Sequence, residues 1–386
     1  MTAKRIGWAG IALGFLAFFI AVPPLLVRSF AVVVVVSLAA IALGAYAVGR
    51  GEKRIGWGAI IAGCLGMAGG YAATASGITN LERVVVWGAL LAATLRYATP
   101  LIFGAIGGLF SERSGVINIA LEGMMLMGAF FGAWGADITN SWFLGLVIAV
   151  ASGATFGALH ALFAVTFRAD QIVSGTALNL LAIGITGYMY VQIYGERGTP
   201  DDLPAVPDVH LPIESVPLLG DVFGQLNLLV WLALAAVLVT WVVVFRTPTG
   251  LRLRSSGENP RAAETAGLNV VRTRYYAVMT SGALAALGGA FLSIGFVHSF
   301  SQNMTAGRGF IALAALIFGR WRPGGALAAT LLFGFGSALA TRLPVFSPSG
   351  AVLFQALPYV LTLIAVTGLV GRSIPPLALG RPLPRS

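Results

Sequence analysis

Nine uncharged stretches, each long enough to cross a bilayer, fill most of this chain: residues 6–27, 29–49, 55–81, 138–167, 171–195, 222–245, 275–307, 323–341 and 343–371. A helix needs about 20 apolar residues to span the hydrocarbon core. Backbone amides in lipid must bond within their own segment, so such runs fold as helices. Two further runs carry charge, residues 84–110 around Arg96 and 115–136 around Glu122. Residues 309–319 are apolar but too short to cross alone, which predicts a half or re-entrant helix. The chain therefore reads as all-α, a polytopic integral membrane helical bundle of 11 spans plus one half-span. Only 10% of its residues are charged, against about 25% in soluble domains.

Lys4 and Arg5 precede the first run as they would in a signal peptide. No small-residue cleavage site follows at Val22, Pro23 and Pro24, so this run reads as an uncleaved first span. Alternating sides from there puts 18 basic residues inside and five outside, with Arg96 inside a span. That bias places both termini in the cytoplasm of a multi-pass protein of the bacterial cytoplasmic (plasma) membrane. It also makes the net charge of +10 an orientation signal, with no basic soluble domain to bind nucleic acid. The one cysteine, Cys64, excludes an internal disulfide.

Two loops are long. The external loop, 196–221, is acidic and proline-rich, which suggests an extended connector, a gate or a docking surface. The cytoplasmic loop, 246–274, holds six arginines against Glu258 and Glu264. Inside it, Asn259, Pro260 and Gly267 are the cap, first-turn and stop residues of a short helix. Two turns do not persist alone in water, so this helix needs a surface to pack on. Ala262, Ala263 and Ala266 give it small residues for that contact.

The spans hold glycine pairs four apart, at 104/108, 66/70, 128/132 and 153/157, which read as helix-packing faces. The two lysines, Lys4 and Lys53, follow no phosphate-loop glycines, so any ATP that drives this protein binds another chain. No metal-ligand spacing and no nucleophile–base set is visible, and no catalytic residue is assigned. What stands out is the stretch SERSGVINIALEGMM at 111–125. Polar groups inside a membrane are expensive and mark pathways or clamps. Asn118 and Glu122 lie four apart, on one face if a helix runs through both. Either an interhelical clamp or a substrate contact suits them, with Arg96 or Arg113 as partner for Glu122. Asn179, with Gln171 and Ser174, starts a span that reads as pore-facing. His160 reads as a packing residue and Met124, Met125 and Met127 as core. His298, Gln302 and Asn303 precede a glycine-flanked break, as in discontinuous transporter helices. Tyr97, Phe131, Trp134 and Tyr188 are aromatic candidates to face a flat substrate ring, and Asn118 and Asn179 are candidates for its polar groups.

The 111–125 stretch with its lead-in GGLF, TPTGL at 247–251, GENPRAAETAGL at 257–268, SGALAALGGA at 281–290 and FGRWRPGG at 318–325 together resemble permease subunits of bacterial nucleoside ABC importers. That group also imports ribose-type sugars and branched-chain amino acids. The resemblance covers residues 82–386 and leaves 1–81 as an extension of three extra spans. It implies that this chain forms half a pore, completed by a second related permease in a heterodimer. It further implies ABC ATPase subunits that carry ATP and Mg inside, and an extracytoplasmic substrate-binding lipoprotein outside. Glu258, Asn259, Pro260, Arg261, Ala262, Ala263, Glu264 and Gly267 would then form the coupling contact with the ATPase. An ion-coupled secondary transporter is the rival reading. It needs a relay of membrane carboxylates or histidines, and Glu122 is the one acidic residue well inside a span.

Overall fold

Glycine and alanine decide how closely the helices approach. The computed structural model describes residues 2–21, 29–75, 86–195, 198–200, 202–213, 216, 218–342 and 374–382. The chain divides into two units, residues 1–94 with 335–372 and residues 95–334 with 373–386. In the first, α1 (Ala3–Ala21), α2 (Phe30–Gly49) and α3 (Lys53–Ala75) pack on one another. Apolar side chains gain nothing by leaving lipid, so close backbone contact drives such packing. A Cβ on Gly14 would lie 2.5 Å from the Ala62 carbonyl carbon, and one on Gly66 would lie 2.3 Å from the Gly14 carbonyl oxygen.

The second unit takes in most of α4 (Trp87–Arg113), then α5 (Leu121–Thr139), α6 (Trp142–Ala161) and α7 (Gln171–Tyr194). After the segment that follows α7 come α9 (Leu228–Arg246), α10 (Pro248–Glu258), α11 (Pro260–Thr265), α12 (Val270–Ala290) and α13 (Arg308–Phe318). α14 (Pro323–Arg342) begins in this unit. α6 and α12 each end in a π-helical turn, Leu162–Thr166 and Phe291–Val297. α5, α6 and α12 form the centre. Gly282 on α12 meets Gly153 on α6 so closely that a Cβ would sit 2.1 Å from the Gly153 carbonyl oxygen. Gly128 on α5 meets Ala286 in the same way, at 2.2 Å. The glycine pairs at 128/132 and 153/157 are packing faces.

Among the described residues eight helices are long and apolar enough to cross a membrane: α1, α2, α4, α6 and α12 with their π turns, α7, α9 and α14. α3 and α5, of 23 and 19 residues, are further long helices, and α13 has 11 residues. The span expected at 343–371 lies outside the described residues. The 275–307 run departs from the sequence expectation at both ends. The 275–307 run begins its helix earlier, at Val270, where Asn269 caps the first turn. It stops at Val297, because His298 turns left-handed with φ 58°. The segment between α7 and α9 is more folded than a proline-stiffened connector. β1 (Asp208–His210) pairs antiparallel with β2 (Gln225–Asn227), with α8 (Leu219–Phe223) between them.

A broken helix, a gripped half-helix and an arginine-lined groove

The stretch 111–125 does not form one helix. α4 ends at Arg113, Gly115 turns with φ 97°, and α5 starts at Leu121. Irregular backbone among membrane helices is tolerated only where neighbours satisfy it. Here those neighbours are side chains from four helices. The Ser256 hydroxyl and Arg274 Nε donate to the Ser114 carbonyl at 3.0 and 3.1 Å. Ile117 N–H donates to Gln171 Oε1 at 2.8 Å, and His160 Nε2 bonds the Ile117 carbonyl at 2.9 Å. Asn179 Nδ2 donates to the Ile119 carbonyl at 2.9 Å, while its Oδ1 accepts Gly123 N–H at 2.7 Å. Asn179 thus ties the loop and caps the first turn of α5 at once.

Asn118 is fully buried in this loop, outside the helix. It therefore shares no helix face with Glu122. Its Nδ2 donates to Ser281 Oγ on α12 at 2.8 Å, and its Oδ1 has no partner among the described residues. Glu122 points elsewhere. Its Oε1 accepts from the Thr305 hydroxyl at 2.6 Å and Gly307 N–H at 2.8 Å, and its Oε2 accepts Gly309 N–H at 2.6 Å. The carboxylate fills the N-terminal donors of the half-helix α13, where negative charge also suits the helix dipole. The approach is tight, since a Cβ on Gly309 would sit 2.5 Å from Glu122 Cα. Just ahead of α13, Asn303 and Ala306 hold left-handed backbone at φ 55° and 46°. Such conformations persist where surrounding contacts over-determine them, and Glu122 holds Thr305 and Gly307 on either side of Ala306.

The expected pairing of Glu122 with Arg96 or Arg113 is not found. Arg96 is exposed. Arg113 donates twice to the Trp321 carbonyl, at 3.0 and 2.7 Å, and reaches Glu258 at 4.0 Å. The Trp321 indole N–H donates to buried Glu112. Glu112 and Arg113 thus hold Trp321, in the turn after α13, from both its side chain and its backbone.

The aromatic candidates divide. Phe131 and Trp134 are half-buried neighbours on α5, with ring centres 5.7 Å apart. Tyr97 packs edge-on against Phe296 at 5.8 Å, away from them in the contacts it makes. Tyr188 is 69% exposed and faces outward from α7. Gln302 and Asn303 are exposed in the loop before α13. Phe130, Phe300 and Tyr190 extend the aromatic set, with Phe300 lying 5.2 Å from Phe130 and 5.5 Å from Tyr190. Sequence reasoning missed them, since single aromatics in apolar runs carry no spacing signal.

The arginine-rich end holds the second feature. Asn259 caps α11 by accepting Ala262 N–H at 3.1 Å, and Gly267 closes it at φ 83°. The three alanines do not act as one face. Ala263 is buried with Val116, Ala164, Val165 and Val270, while Ala262 and Ala266 are exposed. The packing surface that a two-turn helix requires is this chain's own. α10 was missed by sequence reasoning, although its signal is present in Thr247, which caps it, and Pro248 in its first turn. Between α10, α11 and α12 lies a groove of about 1120 Å³, lined by Leu251, Ala262, Ala266, Arg272 and Tyr276 among others.

Residues 90–366 match the family described as branched-chain amino acid transport system / permease component. The chain belongs to that family. This permease is 42% identical to the guanosine ABC transporter permease NupQ of Bacillus subtilis over 314 residues, 78% of this chain and 98% of NupQ. It is 40% identical to the nucleoside ABC transporter permease NupC of Lactococcus lactis, over 78% of this chain and 97% of NupC. It is 36% identical to the putative glucose ABC transporter permease TsgC13 of Haloferax volcanii, over 66% of this chain and 77% of that protein. A second B. subtilis guanosine permease, NupP, is 27% identical over 69% of this chain and 77% of NupP. No solved structure matches the permease. It is a multi-pass membrane transport subunit and not an enzyme.

Proposed function

We propose that the permease forms half of the pore of an ATP-driven nucleoside importer in the bacterial cytoplasmic membrane. The observation that carries the substrate is the 42% identity along 98% of a guanosine permease. Two distinct guanosine permeases of one B. subtilis strain both resemble this chain, which supports a heterodimeric pore with a second related permease. ABC ATPases carrying ATP and Mg dock inside, and a substrate-binding lipoprotein delivers from outside. Residues 82–386 are the permease core and 1–81 an N-terminal extension. Both termini and the 246–274 loop face the cytoplasm, and the 196–221 loop faces outward.

In this reading α11 contacts the ATPase through exposed Ala262, Ala266, Arg261 and Glu264, with the adjoining groove receiving the partner. Glu258, Asn259, Pro260 and Gly267 shape that contact, and Ala263 anchors it from within. The substrate path runs past Asn118, Glu122 and Asn179, with Gln302 and Asn303 toward its outer end. Phe131 and Trp134 supply aromatic faces. The test is ATP-dependent uptake by the reconstituted complex, over a panel of guanosine, adenosine, uridine, ribose, glucose and leucine. Uptake of nucleosides is expected. Uptake of glucose or ribose alone would favour the sugar reading, which the TsgC13 similarity supports.

A further inference from the structure

Arg274 is the largest fully buried side chain described, at 0% exposure. A buried guanidinium is costly unless its donors are used. Among the described residues it makes no ion pair. Its fork instead reaches three backbone carbonyls on three separate segments. Nε donates to Ser114 at 3.1 Å, Nη2 to Ser256 at 3.4 Å and Nη1 to Arg381 at 3.3 Å. Ser114 opens the broken-helix loop that carries Asn118. Ser256 lies in the last turn of α10, immediately before α11. Arg381 belongs to the segment 374–382, near the end of the chain.

That segment is pinned along its length to the same two neighbours. Ala378 N–H donates to the Gly257 carbonyl at 2.9 Å, and Gly380 N–H to the Gly115 carbonyl at 3.1 Å. Leu377 N–H donates to Glu258 Oε2 at 3.2 Å. The fit leaves no slack. A Cβ on Gly115 would meet Arg274 Nη2 at 2.7 Å, and one on Gly257 would meet the Arg113 carbonyl oxygen at 2.2 Å. The charge of Glu264, on α11, also acts on the guanidinium. A planar fork serves three carbonyls in fixed directions, which a lysine ammonium cannot do.

We infer that Arg274, strapped by residues 377–381, is the positioning residue that carries movement of α10 and α11 into the 114–120 loop and so to Asn118. This rests on the coupling role proposed for α11. Packed contacts with discrete arrangements are what transmit such movement. Arg274 touches neither substrate nor ATPase in this scheme, so its loss separates ATP hydrolysis from transport.

The test uses the full importer in proteoliposomes, with R274Q, R274K and, separately, a chain ending at Pro376 that keeps Arg274. Three quantities are read: co-purified ATPase, ATP hydrolysed, and guanosine taken up per ATP. We expect R274Q and the shortened chain to retain ATPase subunits and basal hydrolysis. Uptake per ATP should fall by about 5- to 150-fold, the range of an ordinary coupling free energy, with R274K between them and the parent. Parental uptake per ATP in R274Q and the shortened chain overturns the inference. So does loss of assembly in both, which marks a structural clamp. If the parent chain itself retains no ATPase, the coupling role of α11 fails first and is recognised as such.

Discussion

The carboxylate of Glu122 accepts the backbone N–H of Gly309 at 2.6 Å, across 187 residues of sequence. With Thr305 and Gly307 it holds the start of a half-helix against the start of α5. In Glu122→Gln the amide presents a donor where one N–H needs an acceptor. Each lost bond to a charged group costs about 1.5–3 kcal/mol. The purified complex should melt lower and import guanosine more slowly, and Glu122→Ala should exceed Glu122→Gln in both. A Glu122→Ala complex with parental melting and uptake would remove Glu122 from this role.

Ala263 and Ala262 give opposite expectations. Ala263→Trp forces an indole into the cluster around Val116 and Val270, where overpacking costs about 1–3 kcal/mol or more. Folded protein should be lost before any ATPase contact is tested. Ala262→Trp adds its bulk at an exposed position beside the groove. The chain should fold and co-purify less ATPase. Parental ATPase retention in folded Ala262→Trp would take α11 out of the coupling contact.

Gly282 and Gly184 test the packing argument within one chain. Gly282→Ala places a methyl against the Gly153 backbone and should destabilise by about 1–3 kcal/mol. Gly184, inside α7, has open space where a methyl group would go, with nothing among the described residues within 4 Å. Gly184→Ala should therefore be neutral or stabilise by up to about 1 kcal/mol. Thermal melting in detergent reads both. Equal melting of the two variants would contradict close contact between α6 and α12.

Orientation is open to labelling. In a Cys64→Ser background, cysteine at exposed Asp208 should react with an impermeant maleimide from outside. Cysteine at exposed Thr265 should react from the cytoplasmic side only. Reversed labelling would invert the topology drawn from the basic residues.

The membrane helices were legible because lipid leaves a chain few choices. The half-helix α13 was legible for the same reason, being apolar but too short to cross. The partners of Asn118 and Glu122 were not. Nothing near position 122 points to Thr305 or Gly309, and a helix drawn through 115–136 hides the break that sends Asn118 toward Ser281. Three alanines of one chemistry on α11 likewise conceal which of them turns inward. Arg274 read as one more basic residue of a cytoplasmic loop, because burial is a property of its neighbours.

The carbonyl of Gly115 receives the amide of Gly380. As the chain is synthesised, the acceptor is made long before its donor. Through the insertion of every intervening helix, that oxygen sits at the edge of a buried loop without its final partner. The loop between α4 and α5 is thus completed only once residue 380 has been made, so a chain that stops before it leaves that seam open.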